Sequence, residues 1–264
     1  MRISVQPESP GDLELCREAA SRLGLCLNSD DPDLVLTVSN QNGLSLCCPQ
    51  IDPKANLEIS FTTGTNRHRR QFGGGKSQLI AKAVGIKSGN KPTVLDITAG
   101  LGRDAFVFAS LGLDVVAIEK NPVLAYMLEV AKQNALENTS EISDDTLTAT
   151  LERLEIVESD ALELLSKARV NGKQFSAEVV YMDPMFPGRK KSAAVKKEMR
   201  ILQELVGDDG SNDSFLLECA LVHASHRVVV KRPRLAPAIS GPKPSYALEG
   251  KSTRFDVYSL KSFG

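Results

Sequence analysis

The sequence predicts an α/β fold in which a mostly parallel sheet is covered by helices on both faces and ends in an antiparallel hairpin. From residue 92 onward, short apolar runs alternate with segments of helical spacing, which is the pattern of buried parallel strands joined by helices. Two closing runs, "YALEG" and "RFDVYSL", flank a short polar turn and predict the hairpin at the sheet edge. Before this region, short apolar runs and one helical stretch indicate a small α+β domain.

The predicted elements follow one another in chain order. The α+β domain is expected at 1–62, a linker rich in glycine and polar residues at 63–76, and the large domain at 77–264. Its strands are expected in "TVLDIT", "DVVAIE", "LEIVES", "AEVVYMD" and "RVVVKR", with helices near 103–111, 122–136, 160–168, 193–206 and 213–223. Ser77 is a candidate N-cap for a short helix. The polar stretch 137–150 is expected to be a surface loop or a frayed helix.

Composition excludes several classes of protein. At 264 residues and 42% hydrophobic content, the chain can build one large core with a smaller domain attached. It lacks both the roughly 18 to 20 consecutive apolar residues of a membrane span and the order of a secretory signal, so a cytoplasmic location is expected. The five cysteines lack zinc-site spacing and predict reduced thiols without a metal.

The basic residues are concentrated although the net charge is only −1. Residues 67–76, 189–200 and 226–234 together hold 14 of the 32 lysines and arginines. If these runs meet in space, they form a surface suited to a polyanion. If they do not, they are three independent solvated segments.

A glycine turn and a later acid indicate an adenosine-containing cofactor. In "VLDITAGLGRDAF", Gly100 and Gly102 lie between a predicted strand and a helix, where they allow the backbone to approach a ligand closely. Glu119 ends the next strand, 23 residues after Asp96. An acid at that place accepts hydrogen bonds from ribose hydroxyls.

The charge of the turn favours S-adenosylmethionine over a dinucleotide. A pyrophosphate at the helix amino terminus would be repelled by Asp104, whereas a positive sulfonium or ammonium would be attracted by Asp96 and Asp104. The dinucleotide remains open on these residues alone. Ser159 and Asp160 end the third strand, where the adenine edge is expected, but Asp160 is equally a candidate N-cap of the following helix.

The stretch "VVYMDPMFPGRKKSA" predicts the catalytic group. Asp183 ends the fourth parallel strand and therefore emerges at the same sheet edge as the glycine turn. Its carboxylate and the Pro184 carbonyl could accept the hydrogens of a nucleobase amine, and Phe186 could stack on the base. The alternative is an acid that caps a turn beside a packed phenylalanine.

Four motifs together resemble the bacterial family of 16S ribosomal RNA guanine-N2 methyltransferases: "DITAGLGRDAF", "IEKNPV", "YMDPMFPGRKKSA" with "KKEMR", and "VVVKRP". The resemblance covers roughly residues 65–260. It implies a Rossmann-like class I methyltransferase fold with a seven-stranded sheet, S-adenosyl-L-methionine as cofactor, and methyl transfer to the N2 amine of one guanosine near the 3′ end of 16S ribosomal RNA. The cofactor contacts that it implies are Arg103, Asp104, Glu119, Lys120, Ser159, Asp160 and Asp183.

The basic residues around the predicted active site acquire a role under this resemblance. They are expected to bind phosphates of the 16S ribosomal RNA or of the small ribosomal subunit, which positions the RNA without reading its sequence. These residues are Arg189, Lys190, Lys191, Lys196, Lys197, Arg200, Lys231 and Arg232. Three alternatives remain: a methyltransferase for another amine such as adenine N6, an NAD-dependent oxidoreductase, and a non-catalytic RNA-binding factor.

Overall fold

A computed structural model describes residues 1–63, 78–87, 89–142, 144–166, 176–185, 197–207 and 212–263. These residues form a five-stranded and a seven-stranded sheet with helices packed on both. In the described part of the chain, no helix combines the length and the apolarity that crossing a membrane requires.

The five-stranded sheet belongs to the amino-terminal part of the chain. Its order is β2-β1-β3-β4-β5, with β1 parallel to β2 and β3, and the remaining pairs antiparallel. The strands are β1 (Ile3–Pro7), β2 (Cys26–Leu27), β3 (Leu34–Ser39), β4 (Gly43–Cys47) and β5 (Asn56–Glu58). One helix, α1 (Leu13–Leu23), packs on the sheet and ends at Gly24, whose positive φ of 62° suits a left-handed cap.

The seven-stranded sheet confirms the predicted α/β class. Its order is β11-β12-β10-β9-β6-β7-β8, and β12 alone runs against its neighbours β10 and β11. The strands are β6 (Val94–Asp96), β7 (Val115–Glu119), β8 (Leu154–Glu158), β9 (Ala177–Met182), β10 (Ala224–Pro233), β11 (Tyr246–Glu249) and β12 (Thr253–Ser259). The closing hairpin lies where it was predicted, with the Gly250 N–H donating to the Thr253 carbonyl at 2.7 Å.

Helices cover both faces of this sheet. They are α2 (Leu79–Ala83), α3 (Arg103–Ser110), α4 (Pro122–Ile142), α5 (Asp145–Glu152), α6 (Ala161–Ser166), α7 (Lys197–Val206) and α8 (Asp213–His223). The candidate cap Ser77 lies outside the described residues, and α2 begins after Gln78. Because the chain runs from β6 to β7 and β8 on one side and returns to β9 on the other, a crevice opens beyond the carboxyl ends of β6 and β9.

Of the two structures expected for 137–150, a surface loop or a frayed helix, the surface loop was wrong, because most of this stretch is helical. Helix α4 continues to Ile142, and α5 begins at Asp145. The Asp144 side chain accepts a hydrogen bond from the Leu147 N–H at 3.0 Å and caps α5. Leu147 and Leu151 are buried against the main core, and this burial offsets the low helix propensity of the polar residues around them.

The five-stranded sheet shares one apolar core with helices α4 and α7. Leu34, Leu36 and Leu46 of the amino-terminal sheet belong to the same cluster as Met127 of α4 and Ile201 of α7. The Arg22 side chain adds an ion pair with Glu129 at 2.6 Å. The expected domain boundary at residue 62 remains a prediction, because most of the linker 63–76 lies outside the described residues.

Replacing Met127 by alanine should destabilise both parts of the chain together. Met127 is 1% exposed in the shared core, so we expect a loss of about 2–5 kcal/mol in the free energy of unfolding. Urea denaturation followed by circular dichroism should show one transition at a lower midpoint. Leu235→Ala, at a residue that is 91% exposed, is the control and should change the value by less than about 0.5 kcal/mol. A wild-type curve with two separated transitions would contradict the shared core.

Candidate active site

A cavity lies beyond the carboxyl ends of β6, β7, β8 and β9, where the sequence predicted a ligand. Its lining combines apolar side chains with four acids and Lys120. The acids are Glu119, Asp160, Asp183 and Asp213. Of the other predicted site residues, Gly100 and Pro184 also line it.

The glycine turn after β6 forms one wall of the cavity. Gly100 and Gly102 have positive φ values of 54° and 66°, which favour glycine. A Cβ on Gly102 would lie 2.6 Å from Leu128 Cδ2, so this glycine also permits α4 to pack closely against the turn. Gly100 therefore faces the cavity, whereas Gly102 serves the packing behind it.

Glu119 connects the ends of β6 and β7. Its Oε2 accepts a hydrogen bond from the Gly100 N–H at 2.7 Å, and its Oε1 accepts one from the Asn121 N–H at 2.8 Å. Burial raises the pKa of Glu119, while the two backbone donors oppose that rise. The carboxylate is thereby fixed at the cavity wall.

Asp160 is the N-cap of α6, and it also lines the cavity. Its Oδ1 accepts a hydrogen bond from the Leu162 N–H at 2.7 Å, so it caps α6. It also lines the cavity together with Leu162. The neighbouring Ser159 hydroxyl lies 3.4 Å from the Asp160 carbonyl oxygen and is not among the described residues that line the cavity.

Asp183 leaves β9 at the centre of the cavity wall. Its N–H donates to the Thr98 hydroxyl oxygen at 2.6 Å, which ties the end of β9 to the turn after β6. The Thr98 N–H in turn donates to Asp96 Oδ1 at 3.1 Å. Pro184 and Met185 continue the wall, and Phe186 lies outside the described residues.

Lys231 has a different position from the one predicted. Its Nζ lies 2.6 Å from Asp104 Oδ2 and 2.7 Å from Asp183 Oδ2, and the Tyr181 hydroxyl donates to the same Asp104 oxygen at 2.7 Å. The parallel register of β9 and β10, in which Met182 pairs with Val230, puts the residue after each beside the other. Lys231 therefore faces the active-site acids rather than a surface phosphate.

Asp96 is the most deeply buried acid at this edge. Asp96 is only 2% exposed. Burial raises its pKa from 3.8 to about 8, although the hydrogen bond from the Thr98 N–H lowers it. Asp104 and Asp183 add to the rise because their negative charges disfavour a third one. At neutral pH, Asp96 is mainly a neutral carboxylic acid.

Comparison with known proteins identifies the family. The model of the SAM-dependent methyltransferase family matches residues 18–260. The chain is 45% identical over 263 residues to the Ribosomal RNA small subunit methyltransferase J of Pseudomonas aeruginosa strain LESB58, covering 100% of this chain and 97% of that protein. The protein of the same name from Stutzerimonas stutzeri strain A1501 is 46% identical, with 98% and 96% covered. The chain belongs to the small-subunit ribosomal RNA methyltransferase J family.

A solved structure agrees with the fold of this family member. The crystal structure of a SAM-dependent methyltransferase from Neisseria gonorrhoeae superposes with a TM-score of 0.70 at 35% identity, covering 97% of this chain and 95% of that one. The predicted Rossmann-like class I fold and the predicted family are both confirmed. The cofactor contacts expected from the resemblance stay predictions for Gly100, Glu119, Lys120, Asp160 and Asp183, which line the cavity.

Several predicted site residues of this family member have other partners. Asp104 contacts Lys231 and Tyr181, as described above, and Arg103 Nη2 lies 3.2 Å from Glu198 Oε2 of α7. Arg232, expected to bind RNA, has a side chain only 5% exposed, and its Nε donates to the Pro237 carbonyl at 3.3 Å. A buried guanidinium cannot serve as a surface phosphate contact, so Arg232 and Lys231 are removed from the predicted RNA-binding set.

The remaining basic residues divide into two groups. Arg200 is exposed on α7, and the exposed Lys197 forms an ion pair with Asp52 of the amino-terminal part. Arg189, Lys190, Lys191 and Lys196 lie outside the described residues.

Thr98 and Asp213 line the cavity, but the sequence did not indicate them as site residues. Thr98 stands inside the glycine motif and could have been noticed there, whereas Asp213 begins a helix 30 residues after the catalytic motif and gives no local signal.

Replacing Asp96 by asparagine should remove a pH-dependent term from stability. With a pKa of about 8 when folded and about 3.9 when unfolded, Asp96 holds an extra proton in the folded state between these pH values. Wild-type stability should therefore fall as pH rises from 5 to 8, by at most about 1.4 kcal/mol per pH unit from this group.

Urea denaturation of wild type and Asp96→Asn at pH 5, 6, 7 and 8 measures this term. We expect the variant to lose less stability than wild type across the series. Asp114→Asn, at an exposed residue of the opposite sheet edge, should follow the wild-type slope. Parallel curves for Asp96→Asn and wild type would show that Asp96 is already ionised at neutral pH.

Proposed function

We propose that this protein transfers a methyl group from S-adenosyl-L-methionine to the exocyclic N2 amine of a guanosine near the 3′ end of 16S ribosomal RNA. The observation that carries the proposal is the position of Asp183, which ends β9 in a cavity also lined by Gly100 and Glu119. The names of the relatives, which describe small-subunit ribosomal RNA methyltransferases, support the RNA substrate.

The residues that line the cavity suit S-adenosylmethionine better than a dinucleotide. Four of the described lining residues are acids, and Lys120 is the one basic residue among them. This charge favours a ligand with a sulfonium and an ammonium group and disfavours a pyrophosphate. Glu119 would hold the ribose hydroxyls, and Asp160 and Leu162 would adjoin the adenine. When bound, the cofactor supplies an electrophilic methyl group on a positively charged sulfur.

Asp183 prepares the nitrogen that receives the methyl group. The lone pair of an exocyclic amine is delocalised into the base, which makes the amine a weak nucleophile. A carboxylate that accepts an N–H hydrogen bond fixes the orientation of the amine and stabilises the positive charge that develops on nitrogen. The proton is then released to solvent, so Asp183 need not remove it before transfer. The backbone carbonyl of Pro184, a residue that also lines the cavity, would accept the second N–H.

The partner that this function requires is 16S ribosomal RNA, either free or in the small subunit. Phosphate contacts would come from exposed basic residues such as Arg200, with Phe186 stacking on an extruded guanine. Because that RNA is made and assembled in the bacterial cytoplasm, the proposal includes a cytoplasmic location. Replacing these exposed lysine or arginine residues would weaken RNA binding without changing which base is methylated.

Asp183→Ala should abolish methyl transfer while the cofactor site survives. Loss of the acceptor for the amine should lower kcat by at least about 100-fold, measured as tritiated methyl transfer to small subunits from a strain that lacks this protein. Binding of S-adenosylhomocysteine, followed by calorimetry, should change only a few-fold. Asp114→Ala at the opposite sheet edge is the control for removal of a carboxylate. Full activity in Asp183→Ala would contradict the mechanism.

The methylated base can be identified by nucleoside mass spectrometry. We expect 16S ribosomal RNA from the deletion strain to lose N2-methylguanosine at one position near the 3′ end, and complementation by wild type but not by Asp183→Ala to restore it. Loss of N6-methyladenosine instead would favour the adenine alternative. Binding of small subunits without any transfer would favour a non-catalytic RNA-binding factor.

A further inference from the structure

We propose that Lys231 is a positioning residue for methyl transfer, which holds the Asp183 carboxylate in one orientation beside its ammonium group, and that Asp104 anchors Lys231 for this purpose. The inference rests on the proposed role of Asp183 as acceptor of the substrate amine. It assigns to a lysine of β10, and to the acid of the glycine motif, a function in the reaction that neither the family match nor the glycine motif implies.

The geometry ties three elements to one ammonium group. Lys231 Nζ, at the end of β10, contacts Asp183 Oδ2 at 2.7 Å and Asp104 Oδ2 at 2.6 Å. Asp104 stands in the first turn of α3, and the Tyr181 hydroxyl of β9 fixes the same oxygen from the other side at 2.7 Å. The lysine therefore has one fixed position, and the Asp183 carboxylate has one fixed orientation.

The contacts leave one oxygen of Asp183 for the substrate. Lys231 contacts Oδ2, and the Asp183 N–H is taken by Thr98 at 2.6 Å. Within the described ranges, no hydrogen bond involves Oδ1 of Asp183. An amine that enters the cavity would meet this second oxygen, on a carboxylate that Lys231 holds at Oδ2 and whose backbone is anchored by Thr98.

The charges explain why a lysine is needed at this position. Asp183 lies among further acids, and partial burial raises its pKa, whereas the Lys231 ammonium lowers it. The titratable and charged groups that face Asp183 are Lys231 and Arg232 of β10, Asp104 of α3, Asp96 of β6 and Tyr181 of β9. Burial alone would lower the pKa of Lys231, but Asp104 and Asp183 raise it above its usual value, so the lysine stays charged.

The alternative is that Lys231 only neutralises Asp104 and stabilises the fold. The side chains of Lys231 and Asp104 are 24% and 11% exposed, so loss of the lysine alone would leave a poorly solvated acid. The two roles differ in one respect. A purely structural lysine becomes dispensable once Asp104 is made neutral, whereas a lysine that acts on Asp183 does not.

Three variants separate these roles: Lys231→Met, Lys231→Arg and the double variant Lys231→Met with Asp104→Asn. The first readout is the pH dependence of kcat/KM for methyl transfer to unmethylated small subunits. The second is a carbon-13 NMR titration of the aspartate carboxyl groups, with the Asp183 signal assigned by its absence in Asp183→Asn. Thermal unfolding and S-adenosylhomocysteine binding establish that each variant is folded.

In Lys231→Met we expect the Asp183 titration and the acidic limb of kcat/KM to move upward by at least about one pH unit, which costs about tenfold in rate below the new pKa. The rate should recover as pH rises. Lys231→Arg keeps the charge and should keep the wild-type midpoint at a reduced rate. The double variant should remain shifted, because Lys231 contacts the Asp183 carboxylate directly, whereas Asp104 contacts the lysine.

A double variant with the wild-type midpoint would overturn the inference and leave Lys231 a structural role. An unshifted Asp183 titration in Lys231→Met would also overturn it. The NMR readout needs no RNA, so it separates this failure from that of the proposed function. If wild type transfers no methyl group to small subunits, the proposed function fails, whereas the titration still reports whether Lys231 governs the charge of Asp183.

Discussion

The alignment of β6 with β9 at the centre of the large sheet is the constraint on which the site depends. These strands are parallel and paired from Val94 with Val179 to Asp96 with Tyr181, so both end at the same edge. Thr98 then joins the two ends, because its N–H donates to Asp96 and its hydroxyl accepts from the Asp183 N–H. A shift of one residue in this pairing would turn Asp183 to the other face of the sheet.

The same alignment explains how several acids come to lie at one edge of the sheet. Parallel strands bring side chains from distant parts of the sequence to one edge, where burial and mutual repulsion act on all of them. Two features of the site reduce this repulsion. Asp96 keeps its proton near neutral pH. The positive charge of Lys231 offsets part of the negative charge of Asp104 and Asp183. One positive charge among two ionised carboxylates leaves a negative environment, which suits a cationic methyl donor.

Most of the large sheet could be predicted from the sequence because its strands are continuous apolar runs bounded by turns. The helix at Asp145–Glu152 could not, since its Thr and Asp residues are typical of loops and only the burial of Leu147 and Leu151 decides its structure. Residue types alone likewise favour a surface position for the basic run 226–234. Lys231 finds its partner Asp104 at a separation of 127 residues, and no local pattern reports such a contact.

The core that the five-stranded sheet shares with helices α4 and α7 has a consequence for the cavity. Leu124 and Leu202 belong to that core and also line the cavity. The same two helices, α4 and α7, thus pack against the five-stranded sheet and line the cavity. The amino-terminal part therefore supports helices that line the cavity. A catalyst shortened to the large domain would expose the apolar faces of α4 and α7 to water and would need polar side chains there.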